Sequence, residues 1–138
     1  MPYLQGLPLP QPTIDDAPFW DACKKHILVI QRCAKCNTFR HTPVPVCYVC
    51  QSFDYDWVEV SGNGKIFSYV NVIYPAHSSL KDRVPFNVVV VEMPDAGNVR
   101  IVSNVIDAPF EEIYVGMPVE VVFEDYPEGV TLPRFKRA

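Results

Sequence analysis

Two pairs of cysteines, Cys33-x-x-Cys36 and Cys47-x-x-Cys50, are the residues whose type and spacing speak most directly of chemistry. Each pair fits a short turn that aims two thiolates at one point, and ten residues separate the pairs. This is the pattern of a zinc ribbon, in which two knuckles close a tetrahedral four-sulfur site around one ion. Four sulfur ligands leave no open coordination position, so the expected zinc is structural. Three other uses of the cysteines compete with it. Two disulfides would suit a secreted domain, but no secretory leader precedes the pairs. A redox Cys-x-x-Cys stands once, at the start of a helix in a βαβ unit. Iron in a rubredoxin-like site would use the same four sulfurs.

His41 is a metal ligand by type, but a complete sulfur shell leaves it no position. Cys23, the fifth cysteine, reads as a buried thiol because it falls on the apolar face of an expected helix. That helix starts at the Asp15-Asp16 cap, tolerates Pro18 in its first turn and runs to about His26. It places Phe19, Ala22, Cys23 and His26 on one side, with His26 complementing the helix dipole.

These groups must be positioned by a chain of 138 residues, 49% of them hydrophobic, with a net charge of −4. We divide it into residues 1–26, a proline-rich arm and helix; 27–60, the ribbon; and 61–138, a β-barrel. The arm, residues 1–13, holds four of the fourteen prolines and no charge. It is too proline-rich for a helix and too apolar for a solvated tail, and is expected to lie against its own domain or a partner. In the ribbon, residues Ile27–Arg32 lead into the first knuckle and Thr38–Val46 read as β-like. A ribbon of about 35 residues builds little core, so its ion must supply much of the folding free energy.

Past Ser61-Gly62-Asn63-Gly64 the periodicity becomes that of strands: Ile66–Tyr74, an apolar run at Pro85–Met93 built on Val88-Val89-Val90-Val91, and Val99–Val105. The last of these has Val99, Ile101, Ser103 and Val105 on one face. A helical turn at Phe110–Tyr114 and strands at Val119–Phe123 and Leu132–Lys136 complete the set. Five strands with a short helix between the third and fourth is the order of an OB-fold barrel, an SH3-like barrel being the competitor. The fold class is thus mainly β: an N-terminal helix, a rubredoxin-like zinc ribbon and a five-stranded OB-fold barrel.

The order of these parts resembles a family of zinc-ribbon plus OB-fold proteins, long catalogued as a domain of unknown function, that accompany thiolases and other acyl-CoA enzymes. The likeness runs from about Ile14 to Arg137. It is carried by Phe19-Trp20, Leu28, Gln31-Arg32-Cys33, Cys36, Pro43, Cys47, Cys50, Gly64, Pro85-Phe86, Gly116-Met117 and Arg134-Phe135. Asn37 stands where many relatives place glycine, and both residues tolerate the left-handed conformation a knuckle needs. The resemblance implies a non-catalytic accessory subunit of a hetero-oligomer. Its partner would be a thiolase cleaving a β-oxoacyl-CoA, or a hydratase or aldolase. The subunit would stabilise the partner, help form or shield its site for a coenzyme A thioester, and dock through the ribbon and the arm.

The residues agree with this expectation. No Ser/His/Asp constellation, phosphate loop or HExxH motif stands in the sequence. His77, with Ser78, Ser79 and Asp82, reads as a solvated polar loop. Phosphates of coenzyme A would need local cations, and Lys81, Arg83, Arg134, Lys136 and Arg137 are the available clusters. Tyr69, Tyr74, Phe86 and Tyr114 could stack on an adenine, though most read as core. The alternative function is a single-stranded nucleic-acid binder, since ribbons and OB-folds both occur in such proteins. A free-standing adaptor unrelated to coenzyme A is a third. Seven Lys and Arg against ten Asp and Glu in residues 62–138 argue against the basic groove that nucleic acid requires. No apolar run approaches the ~18 residues of a membrane span, and reduced or metal-held thiols point to the cytoplasm.

Overall fold

The computed structural model describes residues 6–138. The first five residues of the expected arm lie outside them. Helix α1 spans Ala17–Lys24, starting where the sequence suggests and ending two residues short of His26. Asp16 holds the N-cap position, but its carboxylate turns back to accept from the amide and hydroxyl of Thr13 instead of capping the helix. Lys25 closes the helix through carbonyls of Ala22 and Cys23. His26 then takes a left-handed φ of 59° and leaves the helix face. Phe19 and Cys23 are buried as expected, whereas His26 is exposed, stacks on Phe123 and pairs with Asp125 at 3.0 Å.

The ribbon is a three-stranded antiparallel sheet in the order β2-β1-β3, with β1 at Val29–Cys33, β2 at Phe39–Arg40 and β3 at Tyr55–Glu59. Of the β-like Thr38–Val46 segment only Phe39–Arg40 pairs, and the chain beyond it carries Pro43 and Pro45, which have no N–H to offer a ladder. Strand β3, which the sequence pattern did not announce, pairs with β1 along its whole length.

The barrel strands are β4 (Asn63–Val72), β5 (Phe86–Met93), β6 (Val99–Ser103), β7 (Pro118–Asp125) and β8 (Thr131–Arg137), in sheet order β6-β5-β4-β7-β8. A parallel bridge between Val105 and Phe135 curls the sheet toward closure, which is OB topology. The short helical turn lies between β6 and β7, at Phe110–Glu112. The apolar run of β5 alternates: Asn87, Val89, Val91 and Met93 are buried and the residues between them are half-buried. Gly64 is required by closeness, because a Cβ there would stand 2.5 Å from Val91 Cγ1 and 2.9 Å from the Glu92 carbonyl.

One core joins all three parts. Phe19 and Cys23 of α1, Leu28 and Ile30 of the ribbon, and Ile66, Val89, Val91, Met93, Ile101 and Phe135 of the barrel form a continuous buried cluster. At its seam the barrel closes on polar groups. Buried Asn87 donates through Nδ2 to the Val105 carbonyl and accepts at Oδ1 from the Val105 amide, each at 2.8 Å. The side chain thereby serves as a strand partner for the residue that bridges β8. The Asn104 amide returns a bond to the Asn87 carbonyl, and Ser103 Oγ donates to the Pro133 carbonyl at 2.8 Å. Replacing Asn87 by Ala strands a buried amide and carbonyl at once. The expected loss is about 3 kcal/mol in a urea unfolding titration, and a loss within error of zero would show that closure does not depend on this side chain.

Candidate metal centre

The two knuckles have the same backbone. The Cys33 amide donates to the Thr38 carbonyl and the Cys47 amide to the Ser52 carbonyl, both at 2.9 Å. The Asn37 amide donates to the Cys33 carbonyl and the Gln51 amide to the Cys47 carbonyl, both at 3.0 Å. Each turn needs a left-handed residue after its second cysteine, and Asn37 (φ 63°) and Gln51 (φ 60°) supply it. The amide of Cys36 points at Cys33 Sγ (3.5 Å) and that of Val49 at Cys47 Sγ (3.4 Å).

This geometry brings the four Sγ atoms within 4.8 Å of one another. Cys33 and Cys50 approach to 3.5 Å, Cys36 and Cys47 to 3.6 Å. A tetrahedron with metal–sulfur bonds of about 2.3 Å has edges of roughly 3.8 Å, so the sulfurs already span a metal-sized cage. Their protonation is divided. The Cys36 amide holds the Cys33 thiol below its ordinary value, and the Cys50 amide draws Cys47 down to about 6. The Ser52 amide also favours the Cys50 thiolate, but burial and the other three sulfurs outweigh it and carry Cys50 up to about 11. A cluster that resists full ionisation alone becomes fully ionised when a divalent cation replaces its protons. The donor set and its spacing fit zinc.

The loop between the knuckles is fixed by two side chains. Gln31 Oε1 accepts from Arg40 Nε at 2.6 Å and from the Val44 amide at 2.9 Å, while Arg40 Nη2 donates to the Val44 carbonyl at 2.9 Å. The pair thus captures both backbone groups of Val44 and places the approach to Cys47. Sequence reasoning passed over this clamp, because nothing in the residue types links positions 31, 40 and 44.

His41 does not join the sulfurs. Its ring lies 5.3 Å from that of Phe19, beside a cleft of about 410 Å³ between α1, the 41–43 loop and the β6–β8 seam. Of the five cations expected to meet coenzyme A, three are engaged. Arg134 is nearly buried and donates to Glu124, Asn104 and Tyr126. Lys136 pairs with Glu120, and Arg137 with Asp107 and Glu112. Lys81 and Arg83 lie in the β4–β5 loop, where His77 Nδ1 caps a short turn by accepting from the Ser79 amide. His77, Ser79 and Arg134 do meet in one apolar groove of about 460 Å³, which Leu7 and Pro8 of the arm also line. Tyr74 and Tyr114 are exposed, whereas Tyr69 and Phe86 are half-buried.

Burial displaces the titration of two groups, one on the helix and one on the ribbon. The Cys23 thiol is pushed up to about 12, so in the folded protein iodoacetamide at pH 8 should leave it unmodified, and unfolding in urea should expose it to alkylation, as read by peptide mass spectrometry. Burial lowers His41 to about 4, below its usual 6.5. The unfolded chain therefore binds a proton that the folded one refuses, and stability is lost as pH falls from about 6.5 to about 4. His41→Gln should flatten that limb in urea titrations run across this range; an unchanged slope would assign the loss to other groups.

Comparison with known proteins places this architecture. Residues 20–56 match the family model described as the ChsH2 rubredoxin-like zinc ribbon domain, and residues 57–124 match that of the ChsH2 C-terminal OB-fold domain. A probable enoyl-CoA hydratase alpha subunit of Thermomonospora curvata is 40% identical over 94% of this chain. The 3-oxo-4,17-pregnadiene-20-carboxyl-CoA hydratase alpha subunit of Mycobacterium tuberculosis is 34% identical over 86% of it. The chain spans only 40% and 37% of those two proteins. The solved structure named Ltp2-ChsH2(DUF35) aldolase superposes with a TM-score of 0.83 at 37% identity, covering 94% of this chain and 98% of that one. The chain therefore belongs to the ChsH2 (DUF35) family, whose members join a rubredoxin-like zinc ribbon to an OB-fold barrel.

Proposed function

We propose that the chain is a non-catalytic accessory subunit of an acyl-CoA-processing enzyme. One structural zinc, held by Cys33, Cys36, Cys47 and Cys50, stiffens the ribbon, which docks on the partner and brings the barrel beside the partner's thioester site. The observation that carries this reading is the second knuckle. It holds Tyr48, Val49 and Phe53 in solvent at 70%, 55% and 72% exposure, on a backbone tied down at both ends. Large apolar side chains on a rigid loop are what protein interfaces use as anchors. The names of the relatives supply the partner's chemistry, since two are alpha subunits of hydratases named for CoA thioesters and the solved relative is named an aldolase.

Within that class we favour a thiolase-type partner that cleaves a β-oxoacyl-CoA, with a hydratase or aldolase as the variants. Lys81 and Arg83 remain the cations best placed to meet a coenzyme A phosphate, because they form no ion pair among the described residues. All five cysteines are unbridged, which suits the reducing cytoplasm. No helix among the described residues is long and apolar enough to cross a membrane.

The test separates metal from surface. Cys36→Ser should release zinc and abolish co-purification with the partner, while Phe53→Asp should keep its zinc and still weaken the complex, by at least tenfold in Kd. The partner is to be identified by mass spectrometry of the chain that co-elutes from the native host. Assembly that survives zinc loss would contradict the proposal, as would a co-eluting chain that does not act on acyl-CoA.

A further inference from the structure

We propose that Arg40 is the counter-cation of the four-sulfur site and sets how tightly the ribbon holds its ion; the inference rests on the zinc reading above. Arg40 is only 4% exposed, and its Nη1 has no hydrogen-bond partner. It takes part in none of the ion pairs among the described residues. A buried guanidinium without a carboxylate is costly unless negative charge lies near it.

Strand pairing shows where that charge lies. Arg40 pairs with Gln31 across β1 and β2, and Cys33 pairs with Tyr55 across β1 and β3. Paired residues of antiparallel strands, and residues two apart on one strand, share a face. Arg40, Gln31, Cys33 and Tyr55 therefore occupy one face, and the Arg40 guanidinium carbon is 5.5 Å from the Tyr55 ring centre. Arg32, Phe39 and Asp56 occupy the other, where Arg32 has its own carboxylate at 3.0 Å. The arginine on the face without sulfur is matched by an acid. The arginine on the sulfur face is matched by a neutral amide, Gln31, which binds it without cancelling its charge. Four thiolates around one divalent ion keep a net negative charge, and Arg40 is the buried cation on the sheet face that carries Cys33.

A purely structural clamp would use the same hydrogen bonds, and Gln31→Glu separates the two roles. It preserves both acceptors, for Arg40 Nε and the Val44 amide, but neutralises the guanidinium. Zinc affinity of the full chain is measured by competition with a chromogenic chelator. Gln31→Glu and Arg40→Gln should each weaken zinc binding by about 10-fold or more, with Arg40→Lys close to the parent protein. Parental affinity in Gln31→Glu, or equal weakening in Arg40→Lys and Arg40→Gln, would overturn the proposal. If Arg40→Gln does not fold at saturating zinc, Gln31→Glu and Arg40→Lys decide the matter. A parent protein purified without zinc would instead overturn the zinc reading.

Discussion

Four sulfur atoms held within 4.8 Å of one another cannot all carry charge unless a cation lies among them. Much of the N-terminal half follows from this constraint. Amides of the two knuckles favour thiolate at Cys33 and Cys47, while at Cys50 burial and hydrogen bonding to the other three sulfurs outweigh the Ser52 amide and keep the proton. Binding of an ion would resolve that conflict and tie the two turns together. The effect does not stop at the ribbon. Leu28 and Ile30 share a core with Val91, Met93 and Phe135, so the order imposed on β1 at Cys33 is felt by the barrel wall. Ion binding and barrel packing are in this sense one folding event.

The barrel has its own polar keystone, and it shows where sequence reading succeeds and where it stops. A run of four valines reveals β5 as a buried strand, and the five-strand order with an intervening helical turn points to the OB topology over its SH3-like competitor. The role of Asn87 within that run is not legible, because its partner Val105 lies 18 residues away and becomes a neighbour only when the sheet curls. Arg134 fails for a similar reason. A terminal Arg beside Lys136 and Arg137 reads as a surface cation, yet Glu124, Asn104 and Tyr126 close around it from the opposite hairpin strand, the seam and the hairpin loop. Residue type gives the chemistry a side chain could do; only the fold decides whether it is free to do it.

In the ribbon the same divide appears on a smaller scale. Cysteine spacing gives the two knuckles and the resemblance adds the left-handed Asn37, but the matching left-handed Gln51 of the second knuckle carries no residue-type signal. Strand β3 stays hidden because Tyr55, Asp56, Trp57, Val58 and Glu59 include no residue that is fully buried, and a strand exposed on much of both faces has no hydrophobic alternation to detect. It forms because β1 offers an unpaired edge of equal length. The end of α1 is hidden for the opposite reason: the apolar spacing continues to His26, but a left-handed backbone and the Asp125 carboxylate draw that residue toward the barrel hairpin.

These features bear on why an accessory subunit of the kind proposed would carry a metal at all. Docking costs the free energy of ordering the groups that make contact, and a loop already fixed in its bound form avoids most of that cost. The Cys47–Ser52 turn is pinned by two backbone hydrogen bonds and by two sulfur ligands, with Tyr48 and Val49 between them and Phe53 just beyond. Without the ion, the same aromatic side chains would sit on a flexible loop and their apolar surface would be as prone to self-association as to recognition. On the proposed function the ion would act at a distance, by deciding whether the apolar tip of the ribbon is a shaped surface or a loose one.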